Sequence, residues 1–275
     1  MNKKNWMLTF LFYLLATVIA LAMLVPLFWM ISTSLKSKGA LMALPIQWIP
    51  KVPTLDNYRR LFSTQGFIGS IGNSFIVAAS SVVLTLISSS LAAFAFAKIK
   101  FRGREALFIL YLASMMIPTQ VLFIPLYLVM SEMHLTDTLT SLIIPGLFRA
   151  FAVFMLRQKM MTIPNEYMDA AAMDGASLGR TFFQIIAPMC KGVLATLAII
   201  LFMESWNDYL LPLVMLQTNS KFTMPILLSV MSGQFKNQYN LMMAGALVSM
   251  IPILILYAGA QKYFKAGLQL GGVKG

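Results

Sequence analysis

The sequence is short of the residues from which water-facing surfaces and reactive sites are built. Of its 275 residues only 11% are charged, 9 are Asp or Glu, and there is a single cysteine, Cys190, and a single histidine, His134. A soluble domain carries about 25% charged residues, so this chain cannot clothe a water-soluble globule of its length. One cysteine excludes an intrachain disulfide, and one Cys with one His excludes a metal site of Cys and His type. No Gly-x-x-x-x-Gly-Lys-Ser/Thr run occurs, so the chain lacks the phosphate loop through which many proteins bind and hydrolyse ATP.

What is present is apolar: 59% of the residues are hydrophobic. Four stretches carry no charge at all, Asn5 to Leu35, Leu61 to Ala97, Ala106 to Ser131 and Asn237 to Gln261, of 31, 37, 26 and 25 residues. Each exceeds the roughly 20 residues that cross a bilayer as a helix. Two more apolar stretches hold charges within them, Leu139 to Met160 with Arg149 and Arg157 and with Lys159 at its end, and Gly192 to Leu216 with Glu204 and Asp208. The fold class expected is all-α, a polytopic membrane protein with about six transmembrane helices over 8–31, 72–97, 106–130, 139–160, 192–216 and 241–260. The first is read as a retained anchor, since its apolar run exceeds the roughly 7 to 15 residues of a signal-peptide core.

Charge of one sign dominates, with 21 Lys and Arg giving a net +12. With both termini inside, thirteen of these basic residues fall on inner segments and the span ends facing them, seven on outer segments, and Arg149 within the membrane. The short loop Lys98 to Arg104 holds four of them, and short loops set topology. The excess is therefore an orientation signal, and nucleic acid is not an expected partner.

Five of the six spans contain proline: Pro26, Pro118 with Pro125, Pro145, Pro212 and Pro252. Proline removes a backbone donor, and in lipid the freed carbonyls need other partners. Such breaks line substrate paths in some transporters, although membrane helices also tolerate proline for packing alone. The second span instead carries Ser80, Ser81, Ser88, Ser89 and Ser90 among alanines, a face suited to close helix packing, with contact to substrate as the alternative. Glu204, Asp208 and Arg149 are costly inside a membrane. Glu204 and Asp208 share a helix face at i, i+4, and with Asn207 and Gln120 they mark a candidate translocation path. A structural ion pair or solvation at the outer interface would account for the same charges.

Between the fourth and fifth spans, 161–191 is too polar to insert. Pro164 suits a helix start, and Glu166 and Asp169 favour its dipole. Ala170 and Ala171 propagate the helix, and Gly175 after Asp174 ends it. Ser177 caps a second short helix, 178–186, which Pro188 is expected to close. An acidic, alanine-rich helix outside the membrane suits docking to another protein better than lying on lipid, for which basic residues are usual.

At this loop the sequence resembles the permease subunits of binding-protein-dependent ABC importers, whose signature is Glu-Ala-Ala, three residues, Gly, nine residues, Ile-x-Leu-Pro. Here it reads Asp169-Ala170-Ala171, Gly175, then Ile185-Ile186-Ala187-Pro188. Asp169 stands for Glu, and Ala187 for Leu. The segments Met116 to Gln120, Phe154 to Gln158, Trp206 to Tyr209 and the tail 261–275 are similar to the carbohydrate-uptake branch, in particular the maltose-type second permease. The resemblance implies a single permease domain over 1–275 in a bacterial or archaeal inner membrane. It also implies an ATPase-coupling helix holding Glu166, Asp169, Ala170, Ala171, Asp174, Gly175 and Pro188. The implied partners are a second homologous permease, two copies of a cytoplasmic ATPase and an extracytoplasmic sugar-binding protein. No cofactor is expected on this chain, ATP and Mg being used by the ATPase. The segments 35–71, with Trp48 and Tyr58, and 217–240 are candidate contacts for the binding protein, or interfacial aromatic anchors. Two other functions fit parts of the pattern: a permease for amino acids or peptides, and an ion-driven secondary transporter using Glu204 and Asp208.

Overall fold

The computed structural model describes residues 3–41, 45–234 and 238–268, and among them every regular element is helical. Helix α1 (Lys3–Ser34) runs unbroken through Pro26. The short α2 (Asp56–Ser63) follows, then the proline-free α3 (Phe67–Lys98). Gly103, at φ 83°, starts α4 (Arg104–Ala113). Two 3-10 turns, Ser114–Met116 and Thr119–Leu122, lead into α5 (Phe123–Glu132), with a bend of 90° between the two halves. The cause lies in the local chemistry. A residue before proline is pushed out of the helical region, and Ile117 takes φ −84°, ψ 118° ahead of Pro118. Pro125, by contrast, is the third residue of α5, where its missing N–H breaks nothing.

The next span is α6 (Thr140–Ile143), a 3-10 turn Ile144–Leu147 containing Pro145, and α7 (Ala150–Met161), bent by 41°. Its freed carbonyls are met from α3: Thr85 Oγ1 donates to the Gly146 carbonyl at 2.8 Å, and Ser88 Oγ donates to that of Leu147. Ser89, Ser90, Ala78 and Ala93 are buried. The small-residue stripe of α3 is thus a packing face that also serves the neighbouring break.

The segment after α7 folds as α8 (Glu166–Met173), α9 (Leu178–Thr181), a π-helical turn Phe182–Ile186 and α10 (Ala187–Met189), followed by α11 (Lys191–Trp206) at a 77° bend. This corrects the expectation that Pro188 closes the second short helix at Ile186. The Ala187 N–H reaches back five residues to the Phe182 carbonyl. That π turn offsets the ladder, so Pro188 sits in the first turn of α10, where no donor is required of it. The fifth expected span, 192–216, is also interrupted: α11 is 16 residues, about 24 Å, and α12 (Leu210–Met215) resumes after a break at 207–209.

The chain ends with α13 (Met224–Gln234) and α14 (Tyr239–Leu268), which passes through Pro252 without interruption. Three helices are long and apolar enough to cross a membrane alone, Trp6–Ser34, Phe67–Lys98 and Tyr239–Gly259, and counting each bent pair as one gives six. Of the tail 261–275, α14 includes the backbone to Leu268, and 269–275 lies outside the described residues.

The contacts divide the chain into two compact units, Met1–Phe67 with Leu228–Ile251, and Ile68–Leu227 with Pro252–Gly275. In the first, most of α1 is exposed, while its C-terminal end is pinned by polar bonds. The buried Asn57 donates to the carbonyls of Ser34 at 2.7 Å and Lys36 at 2.9 Å, and Asn240 donates to Asn57 Oδ1 at 2.8 Å. Lys36, 2% exposed, places its ammonium 4.1 Å from the Trp29 ring centroid; burial pushes its pKa down. At Gly245 a Cβ would lie 2.8 Å from Leu228 Cδ2, so glycine permits a close helix approach there. The second unit holds the larger core, around Leu156, Met160, Ile186, Leu197 and Trp206.

Candidate coupling loop and polar path

The loop at 161–191 is built as the sequence indicates and closed more tightly. The Asp169 N–H bonds the Asn165 carbonyl at 3.1 Å, which begins α8. At its end Gly175 takes φ 74°, its N–H bonds the Ala172 carbonyl at 3.0 Å, and the Ala176 N–H bonds that of Ala171 at 2.9 Å. These are the paired 5→2 and 6→1 bonds of a Schellman motif, which requires a left-handed residue at Gly175. Ser177 Oγ then accepts from the Arg180 N–H at 3.3 Å, capping α9. Ala171 is buried, whereas Glu166, Asp169, Ala170, Asp174, Gly175 and Pro188 are exposed. Met173 is 84% and Phe183 66% exposed. The loop therefore presents three carboxylates beside uncovered apolar side chains, which suits a protein surface with a basic, partly apolar groove.

The start of α8 is fastened to the end of α3. Lys98 Nζ donates to the Ile163 carbonyl at 2.5 Å and to Asn165 Oδ1 at 2.9 Å. Beside it opens a cleft of ≈ 770 Å³ lined by Lys98, Lys100, Arg104, Glu105 and Asp169 among others. One turn before the end of α7, Arg157 grips Glu105 with Nη2 at 2.8 and 2.7 Å from the two carboxylate oxygens. The sequence counted Arg157 only as an orientation charge. The signal for more was its place inside an apolar stretch, where an unpaired charge is untenable.

Of the path candidates, Arg149 and Glu204 meet: Nη1 lies 2.6 Å from Oε2, with the side chains 44% and 48% exposed. Arg149 has extended backbone at the break before α7, and Glu204 sits in the last turn of α11. Asp208 and Asn207 turn to their own backbone: Asp208 Oδ1 accepts from the Leu211 N–H at 3.4 Å in the manner of a cap for α12, and Asn207 Nδ2 donates to the Met203 carbonyl at 2.9 Å. Gln120 is exposed in the 3-10 turn at the 90° bend, and among the described residues its side chain has no hydrogen bond to the Arg149–Glu204 pair.

A further site was missed. Asp137, at φ 56°, accepts from the N–H groups of Gln217 and Thr218 at 2.9 and 3.0 Å, from Thr218 Oγ1 at 2.6 Å and from Lys221 Nζ at 3.0 Å. The Thr218 hydroxyl, then the two backbone N–H groups, with Lys221 adding to them against the opposing effect of burial, hold its carboxyl well below the usual carboxylate range. Its partners lie 80 to 84 residues away, and a single aspartate in a polar loop gives no local sign of such reach.

Comparison with known proteins places these features in a family. The arabinooligosaccharides transport system permease protein AraQ of Halalkalibacterium halodurans is 38% identical over 98% of this chain and 97% of its own. The melibiose/raffinose/stachyose import permease protein MelC of Bacillus subtilis is 32% identical over 95% of each. A chain in the crystal structure of a bacterial ABC transporter involved in the import of the acidic polysaccharide alginate shares the fold with a TM-score of 0.87, at 24% identity, covering 96% of this chain and 99% of that one. Residues 85–269, which hold the broken spans, the Arg149–Glu204 pair and the α8 loop, match the family described as binding-protein-dependent transport system inner membrane component. The chain belongs to that family of multi-pass inner-membrane permeases.

Proposed function

We propose that this chain is the permease subunit of an ATP-driven importer of saccharides, forming half of the translocation path beside a second homologous permease. The observation that carries the reading is the loop at α8: an acidic helix with a glycine-locked end and uncovered Met173 and Phe183, tied by Lys98 to the span behind it. In this reading α8 docks on a cytoplasmic ATPase present in two copies, which binds ATP and Mg, and both termini of the permease are cytoplasmic. An extracytoplasmic binding protein delivers the sugar. The saccharide class is supported by relatives named for arabinooligosaccharides and for melibiose, raffinose and stachyose, at 38% and 32% identity.

The polar path fits a neutral, hydroxyl-rich cargo. Arg149 and Glu204 neutralise each other while remaining about half exposed, so they offer hydrogen bonds without a net charge. An ion-driven transporter has less support, because Glu204 is engaged by Arg149 and Asp208 by the start of α12.

The test is purification from native membranes followed by reconstitution. We expect an ATPase and a second permease to copurify, and ATP hydrolysis to rise when a saccharide-loaded binding protein is added. Uptake that survives ATP depletion and collapses with an ion gradient would overturn the proposal.

A further inference from the structure

The side chain of Arg157 is only 7% exposed, and among the described residues its polar contacts lead to other helices. Nη2 bonds both oxygens of Glu105 on α4, Nε donates to the Phe96 carbonyl on α3 at 3.2 Å, and the guanidinium lies 3.9 Å from the Phe108 ring centroid. Phe96 and Phe108 pack on one another with centroids 5.4 Å apart. Five residues beyond the C-terminal Met161 of α7, α8 begins, and the intervening Ile163 and Asn165 are the residues held by Lys98. The link between α7 and α8 is thus anchored at both ends to one block, the adjoining ends of α3 and α4.

Stability alone does not explain a buried guanidinium held by a half-exposed carboxylate, because an apolar side chain of similar volume in a buried position commonly does as well or better. What a planar, forked guanidinium adds is fixed geometry: it holds three helices at defined distance and angle. We infer that Arg157 is a positioning residue that makes α8 move as one body with the ends of α3, α4 and α7, so that displacement of the docked helix reaches the spans instead of being absorbed at 162–165. This inference rests on the reading that α8 docks on an ATPase.

The experiment uses the complete transporter in proteoliposomes, with saccharide uptake and ATP hydrolysis measured together. Arg157→Met keeps the volume and removes the fork, Arg157→Lys keeps the charge alone, and Glu105→Gln weakens the grip from a half-exposed position that tolerates change. The expected result is assembly at normal yield, with uptake per ATP hydrolysed falling roughly tenfold in Arg157→Met, less in Arg157→Lys and Glu105→Gln. Arg157→Met combined with Glu105→Met should be no worse than Arg157→Met alone, as for residues acting through one contact. A role in folding alone would lower yield and both activities in step, leaving their ratio at the wild-type value; that result, or an unchanged ratio at normal yield, overturns the inference. Should Arg157→Met fail to assemble, the ratio in Glu105→Gln decides. Wild-type uptake that needs no ATP would instead overturn the parent reading, so the two failures are distinct.

Discussion

Asp137 shows how much a single carboxylate can organise. Removing it as Asp137→Ala leaves the N–H groups of Gln217 and Thr218 and the Lys221 ammonium without their common acceptor, a loss of about 1–3 kcal/mol in local stability. It should appear as faster amide exchange at Gln217 and Thr218. Because the folded pKa lies below the unfolded one, the contribution is fully present above the unfolded value of about 3.9 and is lost only as pH falls through the folded value. Protection factors at these amides should therefore be the same at pH 7 and pH 5, and a fall already at pH 5 would contradict the assignment. At this scale the sequence was partly legible. Gly175 and Ser177 act through bonds to residues within five positions, so their roles could be read locally. Asp137 and the Arg157–Glu105 pair depend on partners 52 to 84 residues away, and no spacing rule announces those.

Among the elements, the α8 loop was the most readable and the broken spans the least. Pro118 and Pro145 marked two of the breaks, whereas Pro26 and Pro252 interrupt nothing, and the angles differ widely, 90° at Pro118 and 41° at Pro145, because they depend on which neighbour accepts the free backbone groups. Helices α2 and α13 were absent from the expectation, since each lies in an outer segment read only as a binding-protein contact or an interfacial anchor. The Schellman end of α8 makes a graded prediction. No atom lies within 4 Å of a Cβ added at Gly175, so the cost of substitution there is the left-handed backbone alone, about 1–2 kcal/mol for an ordinary residue. Asparagine tolerates that region better than most. Gly175→Asn should thus keep more uptake than Gly175→Val, both chains inserting at normal level in membrane fractions, and equal loss in the two would show that some other property of the glycine matters. Asp169→Lys inverts a surface charge on the same helix and should reduce ATP-driven uptake with insertion intact.

For the whole molecule, the expectation of an all-α chain with about six apolar spans agrees with three helices long and apolar enough to cross a membrane and up to six if each bent pair is one span, the third pair reaching from the loop at 178–189 into α11, and membership of the permease family follows from the comparisons across nearly the full chain. Charge-free runs are a property of composition and survive any detail of packing, which is why this level was plain from the sequence. For Arg149, Glu204 and Asp208 the sequence left open a translocation path, a structural ion pair and solvation at the outer interface. Glu204→Gln separates two consequences. It frees the guanidinium of Arg149, whose Nη1 lies 2.6 Å from Glu204, and removes one negative charge from the candidate path. With a binding protein able to deliver both, uptake of a uronate oligosaccharide relative to a neutral one should rise by about tenfold, the effect of one restored charge contact; an unchanged preference would remove the pair from the path. The same geometry carries a consequence for biogenesis. The carbonyls of Gly146 and Leu147 accept their hydrogen bonds from the hydroxyls of Thr85 and Ser88, about sixty residues upstream. Synthesis from the N-terminus therefore delivers the donors first, and the kinked span emerges into a bilayer where the hydroxyls that complete it are already waiting, with the order of the gene serving as an assembly instruction.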